Sequence, residues 1–311
     1  MRILFMGTPD FSLFSLRALV EAGEDVIGVV TQPDKPKGRG YALMPPPVKV
    51  YAEECGLPVY QPQTLKDEAF AELLGTLDPE LIVVVAFGKI LPKSVLDYPK
   101  YGCVNVHGSI LPEYRGAAPM QRAIIDGKRE TGITTMKMDV GLDTGDILLI
   151  EKMPIGENDN FETVHDNLGA LGAKTLLGTI EALKAGTLTA IKQDDGKATY
   201  AQKIEKADCL IDFSRDAQAV HDLIRGLSPI PLAFTHTPDG KLLKVTASEI
   251  ATREGICAPA GTVISLDGGR ITVACGTGAI ALLSVLPEGK KRMAAADFIN
   301  GRKIKIGDLL A

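Results

Sequence analysis

Residues 81–87 have the sequence LIVVVAF, an apolar run in which no polar residue alternates with the apolar ones. A strand that is covered by helices on both faces has this composition, which is typical of a parallel sheet. A short apolar run occupies 3–6 and further β-branched runs occupy 25–31 and 103–107. Helical spacing of apolar residues lies between the strands at 48–55 and 67–77. This alternation of strands and helices predicts an α/β fold with a mostly parallel sheet.

The pattern continues to about residue 186 and then changes. Strands are predicted at 132–138 and 147–154, followed by a long helix with apolar residues from Val164 to Leu183. Residues 187–207 are polar and indicate a linker. Beyond it, a helix at 217–226 and short strands separated by Asp-Gly turns predict a small β-barrel. We therefore expect domains at 1–186 and 208–311, joined by a linker at 187–207.

Composition limits the class of protein. The chain has 311 residues, of which 45% are hydrophobic, so it can fill the cores of two domains. It contains no apolar run of membrane-spanning length and no leader-like start, and its five cysteines have no metal-ligand spacing. We expect a soluble, cytoplasmic monomer with free thiols. The net charge of −5 argues against general coating of nucleic acid but leaves room for a local basic patch.

The strongest sign of chemistry is the segment from Asn105 to Ser109, NVHGS, at the carboxyl end of a predicted central strand. Open α/β sheets bind ligands at this edge. Alternation places Asn105 and His107 on one side of the strand, and a specialised loop, Arg115 to Pro119, follows. An amide donor and an imidazole suit direct acyl transfer between two bound substrates, without a covalent intermediate.

A turn with three aspartates, MDVGLDTGD at 138–146, offers an acidic partner for His107. Asp143 is interpreted as that partner, because a carboxylate can orient an imidazole and stabilise its charged form. Asp139 and Asp146 can instead serve turn chemistry. The turn lacks the further oxygen ligands of a calcium loop, so no metal is expected. The first turn, GTPD at 7–10, lacks the later glycines of a dinucleotide site, which argues against a nicotinamide cofactor.

These residues belong to long motifs that resemble those of the methionyl-tRNA formyltransferase family. The motifs include FMGTPDFS, TQPDKPKGRG, VVVAFGKILPK, NVHGSILPEYRGAAPMQ and MDVGLDTGDI, and they continue beyond the predicted linker with TYAQKI, IRGLSPIP and PEGKKRMAAADFINGR. The resemblance implies a Rossmann-like formyltransferase domain followed by an oligonucleotide-binding type of barrel. It also implies 10-formyltetrahydrofolate as the formyl donor, initiator methionyl-tRNA as the acceptor in translation initiation, and catalytic roles for Asn105, His107 and Asp143.

The resemblance also assigns binding residues. The folate-contacting positions it implies are Phe87, Gly88, Lys89, Ile90, Leu91, Ser109, Ile110, Leu111 and Pro112. Candidate tRNA contacts are Lys35, Lys37, Arg39, Lys203, Lys206, Lys290, Lys291 and Arg292, which are also explained by a solvated basic surface. Two alternatives stay open: a related folate enzyme acting on a sugar-nucleotide amine or on water, and a non-catalytic Rossmann-like sensor joined to an RNA-binding barrel.

Overall fold

A computed structural model describes residues 1–37, 42–255 and 257–311. It contains two compact units. The first comprises Met1–Gly116, Thr131–Met153 and His165–Tyr200, and the second comprises Ala117–Glu130, Pro154–Val164 and Ala201–Ala311.

The helices and strands follow the alternation that the sequence predicts. The strands are β1 Arg2–Gly7, β2 Asp25–Val30, β3 Lys35–Lys37, β4 Ala42–Met44, β5 Val59–Tyr60, β6 Leu81–Val85, β7 Cys103–His107, β8 Arg115–Gly116, β9 Glu130–Lys137, β10 Ile147–Pro154, β11 Tyr200–Ala201, β12 Ala233–His236, β13 Leu242–Thr252, β14 Val263–Ser265, β15 Ile271–Ala274, β16 Ala279–Pro287 and β17 Met293–Ala294. The helices are α1 Asp10–Glu21, α2 Pro47–Glu54, α3 Glu68–Leu77, α4 Lys93–Leu96, α5 Pro119–Ile125, α6 Phe161–Ala185, α7 Ala217–Gly226 and α8 Ala295–Asn300.

A seven-stranded sheet in the order β10-β9-β7-β6-β1-β2-β5 forms the centre of the first unit. The pairs β1–β2, β1–β6, β6–β7 and β2–β5 are parallel, and β9 joins β7 in antiparallel register. All five residues of β6 are buried, as expected for a strand without polar alternation. The carboxyl ends of β1, β6 and β7 therefore lie side by side at one edge of the sheet.

The second unit contains an antiparallel sheet in the order β12-β13-β16-β15-β14, with β17 paired to β16. Its core packs one face of this sheet against α7, whose buried side chains include Val220 and Ile224. This sheet is consistent with the expected small barrel. The predicted fold class, a Rossmann-like α/β domain with a small C-terminal β domain, is confirmed.

Candidate active site

His107 is the last residue of β7, and its side chain is buried. Its Nε2 atom lies 3.0 Å from the backbone oxygen of Tyr114. Since a carbonyl oxygen can only accept, the imidazole carries a hydrogen on Nε2. Its Nδ1 atom faces Oδ2 of Asp143 at 3.7 Å. Both ring nitrogens thus face acceptor oxygens: Nε2 is within hydrogen-bond distance of its partner, whereas Nδ1 and Asp143 are close enough for an ion pair when the imidazole is protonated.

Asp143 occupies a tight turn between β9 and β10. Its backbone has φ 52°, in the left-handed region that few residue types other than glycine adopt. Aspartate is one of those few residue types. The turn is fixed from within, because Oδ1 of Asp139 accepts hydrogen bonds from the Gly141 amide and from the Thr144 hydroxyl. The Asp143 carboxylate accepts a hydrogen bond of 2.8 Å from the Gly116 amide. The sequence-predicted His107 and Asp143 are therefore brought together.

Asn105 lies two residues before His107, opposite Val84 on β6 and Met136 on β9. Its side chain is partly exposed. Within the described residues the Asn105 amide makes no hydrogen bond, so its two N–H donors remain available to a ligand.

The turn after β6 combines apolar side chains with a hydrogen-bonded backbone. Phe87 and Leu91 are buried, whereas Ile90 is 87% exposed. Gly88 has φ 78°, and the neighbouring Phe87 carbonyl accepts hydrogen bonds from Gln32 Nε2 and the Thr8 hydroxyl. Nζ of Lys89 donates to the carbonyls of Pro62 and Gln63, so this charge anchors a neighbouring loop. Such an apolar turn with a fixed backbone suits a flat heterocycle.

The segment after β7 is also held by backbone contacts. The Thr134 hydroxyl donates to the Ser109 carbonyl and accepts from the Leu111 amide, while Ser109 Oγ donates to the Glu113 carbonyl. Leu111 is buried in a small cluster with Met136 and Ile147. The polar atoms of this segment are therefore largely engaged within the chain, and its contribution to ligand binding would come from shape.

Cys103, at the start of β7, is not available as a nucleophile. Burial raises the pKa of its thiol to about 12, and its Sγ lies near the carbonyls of Val95 and Leu96. A neutral buried thiol attacks carbonyl carbon poorly. This agrees with direct transfer between two bound substrates.

The basic candidates are surface residues where the structure describes them. Nζ of Lys35 donates to Gln32 Oε1, Lys203 is 3.6 Å from Glu205, and Nε of Arg292 donates to Ser284. Lys206, Lys290 and Lys291 are exposed. Arg39 lies outside the described residues, and no side-chain environment is described for Lys37.

Gln193, which lies within the polar segment predicted as a linker, contacts the candidate site and was not predicted from the sequence. Its amide contacts the backbone of the turn that carries Asp143 and the guanidinium of Arg115. No local motif distinguishes Gln193 from the other polar residues of 187–207. Only the three-dimensional contact reveals it.

Two family models match the chain and define its class. The model described as formyl transferase covers residues 1–180, and the model described as formyl transferase, C-terminal domain, covers residues 203–303. A sugar 3N-formyl transferase, WlaRD, superposes with a TM-score of 0.66 at 19% identity, covering 94% of this chain and 99% of that one. The two family models, together with the shared fold, define this chain as a formyl transferase.

Relatives that match along the full length of the chain identify the family within the formyl transferase class. A methionyl-tRNA formyltransferase of Citrifermentans bemidjiense is 52% identical over 311 residues, covering 100% of this chain and 96% of that protein. One of Geotalea uraniireducens is 50% identical over 310 residues, with 100% and 98% covered. A solved methionyl-tRNA formyltransferase of Clostridium thermocellum has a TM-score of 0.56 at 20% identity, covering 80% and 93%. The chain belongs to the methionyl-tRNA formyltransferase family.

Proposed function

We propose that this protein transfers the formyl group of 10-formyltetrahydrofolate to the α-amino group of initiator methionyl-tRNA, giving formylmethionyl-tRNA for translation initiation. The observation that carries this proposal is the identity of 52%, along the whole chain, to a methionyl-tRNA formyltransferase. This identity extends across the regions matched by both family models. The related sugar transferases share the fold at much lower identity.

The reaction forms one bond and breaks one. The neutral amine attacks the formyl carbon, a new C–N bond forms, and the bond from that carbon to the folate nitrogen breaks. The proton lost by the amine passes to the departing nitrogen. α-Amino groups titrate near ~8, so a useful neutral fraction exists at cellular pH without a strong base. The enzyme has to stabilise the developing oxyanion and manage one proton.

Three residues are proposed to stabilise the oxyanion and to manage the proton: Asn105, His107 and Asp143. The unengaged amide of Asn105 donates to the oxyanion. His107 in its protonated form is proposed as a second donor, and Asp143 orients it from 3.7 Å. Because Nε2 of His107 contacts the Tyr114 carbonyl in this structure, this second donation requires the imidazole to exchange that carbonyl for the substrate oxygen. Substrate binding would bring about the exchange.

The remaining assignments extend the same proposal. Residues 87–91 would hold the folate through apolar side chains and backbone groups, and residues 109–112 would contact it through their shape. Residues 1–186 would act as the catalytic domain. Residues 208–311, after a linker at 187–207, would bind tRNA through Lys290, Lys291 and Arg292. The other basic candidates, which lie outside that domain, would add contacts: Lys35, Lys37, Arg39, Lys203 and Lys206. We also propose that the protein acts as a cytoplasmic monomer; within the described residues, no helix is both long and apolar enough to cross a membrane.

The decisive experiment incubates the pure protein with 10-formyltetrahydrofolate and charged initiator tRNA, and analyses the released amino acid for formylmethionine. Formylation should be lost in His107→Ala and Asn105→Ala. Turnover by His107→Ala close to that of the wild type would contradict the mechanism. If the wild type consumes the folate with a sugar-nucleotide amine or with water and leaves the tRNA unmodified, formyl transfer chemistry remains and the acceptor assignment fails.

A further inference from the structure

We infer that Gln193 is a positioning residue that holds Asp143 in place beside His107. This inference rests on the proposed function, since it concerns how the orienting carboxylate of that reaction is held. Gln193 lies 50 residues after Asp143 and is only 6% exposed. It belongs to the polar segment 187–207, which the sequence presents as a mere connection.

The hydrogen bonds of the Gln193 amide are complete. Nε2 donates to the Asp143 carbonyl at 2.8 Å and to the Gly145 carbonyl at 2.6 Å. Oε1 accepts from Nε and Nη2 of Arg115 at 3.1 and 2.8 Å. A primary amide offers two donors and accepts at one oxygen, so every group finds a partner. Both carbonyls belong to the turn that carries Asp143.

Arg115 determines which way the amide points. A guanidinium has donors only, so the amide oxygen must face Arg115 and the NH₂ group must face the two carbonyls. Arg115 is 2% exposed, and its Nη2 also contacts the exposed carboxylate of Asp195 at 2.8 Å. Neither glutamate nor an apolar residue can replace glutamine here, because glutamate lacks the donors and an apolar side chain lacks both donors and acceptor.

This arrangement fixes Asp143 at two points. Gln193 holds its backbone carbonyl, and the amide of Gly116, the residue after Arg115, holds its carboxylate. Asp143 has a left-handed backbone in a turn where Val140 and Leu142 are largely exposed, so little side-chain packing supports the turn. The buried hydrogen bonds from Arg115 to Gln193, and from Gln193 to the turn, hold the turn in place instead. Their loss should displace the carboxylate from His107 while leaving the substrate-binding segments in place.

The test compares Gln193→Glu with the wild-type protein in the formylation assay. Gln193→Glu keeps the contact with Arg115 and loses both donors to the turn. We expect kcat to fall by about 10-fold to about 100-fold, the range produced by small displacements of catalytic groups, with the KM for folate little changed. Lys197→Gln is the matched control: it changes the net charge by the same amount in the same segment, at a side chain that is 76% exposed.

A double-variant comparison separates positioning from general stability. If Gln193 acts through Asp143, Gln193→Glu should have a much smaller effect on kcat in an Asp143→Asn background than in the wild type. NMR of the imidazole nitrogens gives a readout without substrates, since the chain has only four histidines. The His107 signals should shift in Gln193→Glu and in Asp143→Asn, and stay in place in Lys197→Gln.

Three results would overturn the inference: equal loss of kcat in both backgrounds, unchanged His107 signals, or wild-type kcat in Gln193→Glu. Gln193→Met, which is neutral and of similar volume, repeats the test if the charged variant is unstable. Failure of both variants to fold would assign Gln193 to overall stability and would also contradict a positioning role. Failure of the proposed function is a separate outcome, visible in the wild type before any variant is compared.

Discussion

Asp10 and His165 form a charged pair between the first turn of α1 and α6, with Oδ1 and Nε2 3.6 Å apart. The Asp10 carboxylate raises the pKa of His165 above 6.5, against an opposing effect of burial, and Asp166 adds to the increase. The same pair lowers the pKa of Asp10 below 3.8. A raised pKa means that the folded state binds the proton more tightly than the unfolded chain.

We therefore predict that His165 contributes stability fully below pH 6.5 and that this contribution is lost as the pH rises through the raised pKa of the folded state. The contribution of Asp10 to the stability of the folded state is present above pH 3.8, and it is lost as the pH falls through the lowered pKa of the Asp10 carboxyl. Urea unfolding of the wild type and His165→Gln should differ more at about pH 5 than at about pH 9. An equal difference at both pH values would show that packing against Phe11, and not charge, carries the effect.

Gly145 is required by a close backbone approach in the turn that carries Asp143. A Cβ at this position would lie 1.8 Å from the Lys137 carbonyl oxygen, which is backbone and cannot move aside. Gly145→Ala should displace the turn and lower kcat by about 100-fold, in line with the sensitivity of catalysis to such shifts. The control is Gly75→Ala in α3, where a Cβ would meet nothing within 4 Å.

The control variant, Gly75→Ala, has an expected result of its own. Gly75→Ala should leave kcat unchanged and stabilise the protein by about 0.5–1 kcal/mol, because alanine loses less backbone entropy in a helix. Wild-type kcat in Gly145→Ala would show that the turn adapts at little cost. It would also remove the argument that the position of Asp143 is tightly constrained.

Among the elements, α7 contains a buried ion pair whose energetics can be tested directly. Nε of Arg225 lies 2.6 Å from Oδ1 of Asp222, and both side chains are 4% exposed. Nη1 of Arg225 also donates to the carbonyls of Gly156 and Asp159. Removing the carboxylate leaves a buried guanidinium without its counter-charge, so Asp222→Ala should lower the free energy of unfolding by about 3–5 kcal/mol.

The surface pair between Lys93 in α4 and Asp97, the residue that follows this helix, is the matched comparison. Its side chains are 74% and 60% exposed, so water screens the interaction. Asp97→Ala should change the free energy of unfolding by less than about 1 kcal/mol in the same denaturation experiment. Equal effects of the two variants would mean that burial of the α7 pair does not determine its contribution.

Elements with a regular apolar pattern are predictable from sequence, as β7, β10 and α7 show. The predicted ranges 103–107, 147–154 and 217–226 equal the observed ones, because local periodicity alone defines them. β13 spans Leu242–Thr252, a much longer strand than the short ones predicted for this part of the chain. Its later residues pair with β16 through several register shifts, and such long-range pairing leaves no periodic signal in the local sequence.

At the scale of the whole molecule, the candidate site draws on residues far apart in sequence. His107 and Asn105 could be predicted because a motif and strand alternation mark them. Gln193 could not, since its role depends on Arg115, 78 residues away, and on the turn at Asp143. Thr199 likewise binds the Tyr114 amide through its hydroxyl. The local sequence of a polar segment gives no sign of such long-range contacts.

The proposed tRNA contacts make a prediction about the chain as a whole, whose net charge of −5 should repel a polyanion. Binding must then depend on local basic clusters, of which Lys290, Lys291 and Arg292 form one. Replacing all three by glutamine should raise the KM for tRNA and leave kcat and the KM for folate unchanged. The dependence of log affinity on log salt should become shallower by about 1 for each phosphate that the variant no longer neutralises.

A matched variant separates a local contact from a general loss of positive charge. Glutamine at Lys66, Lys93 and Lys100, all exposed, changes the net charge by the same amount. If the two triple variants weaken tRNA binding equally, the effect comes from the overall field of the protein. If only the 290–292 variant does so and its salt dependence is reduced, these three residues neutralise phosphates directly, since a diffuse field would not distinguish one cluster from another.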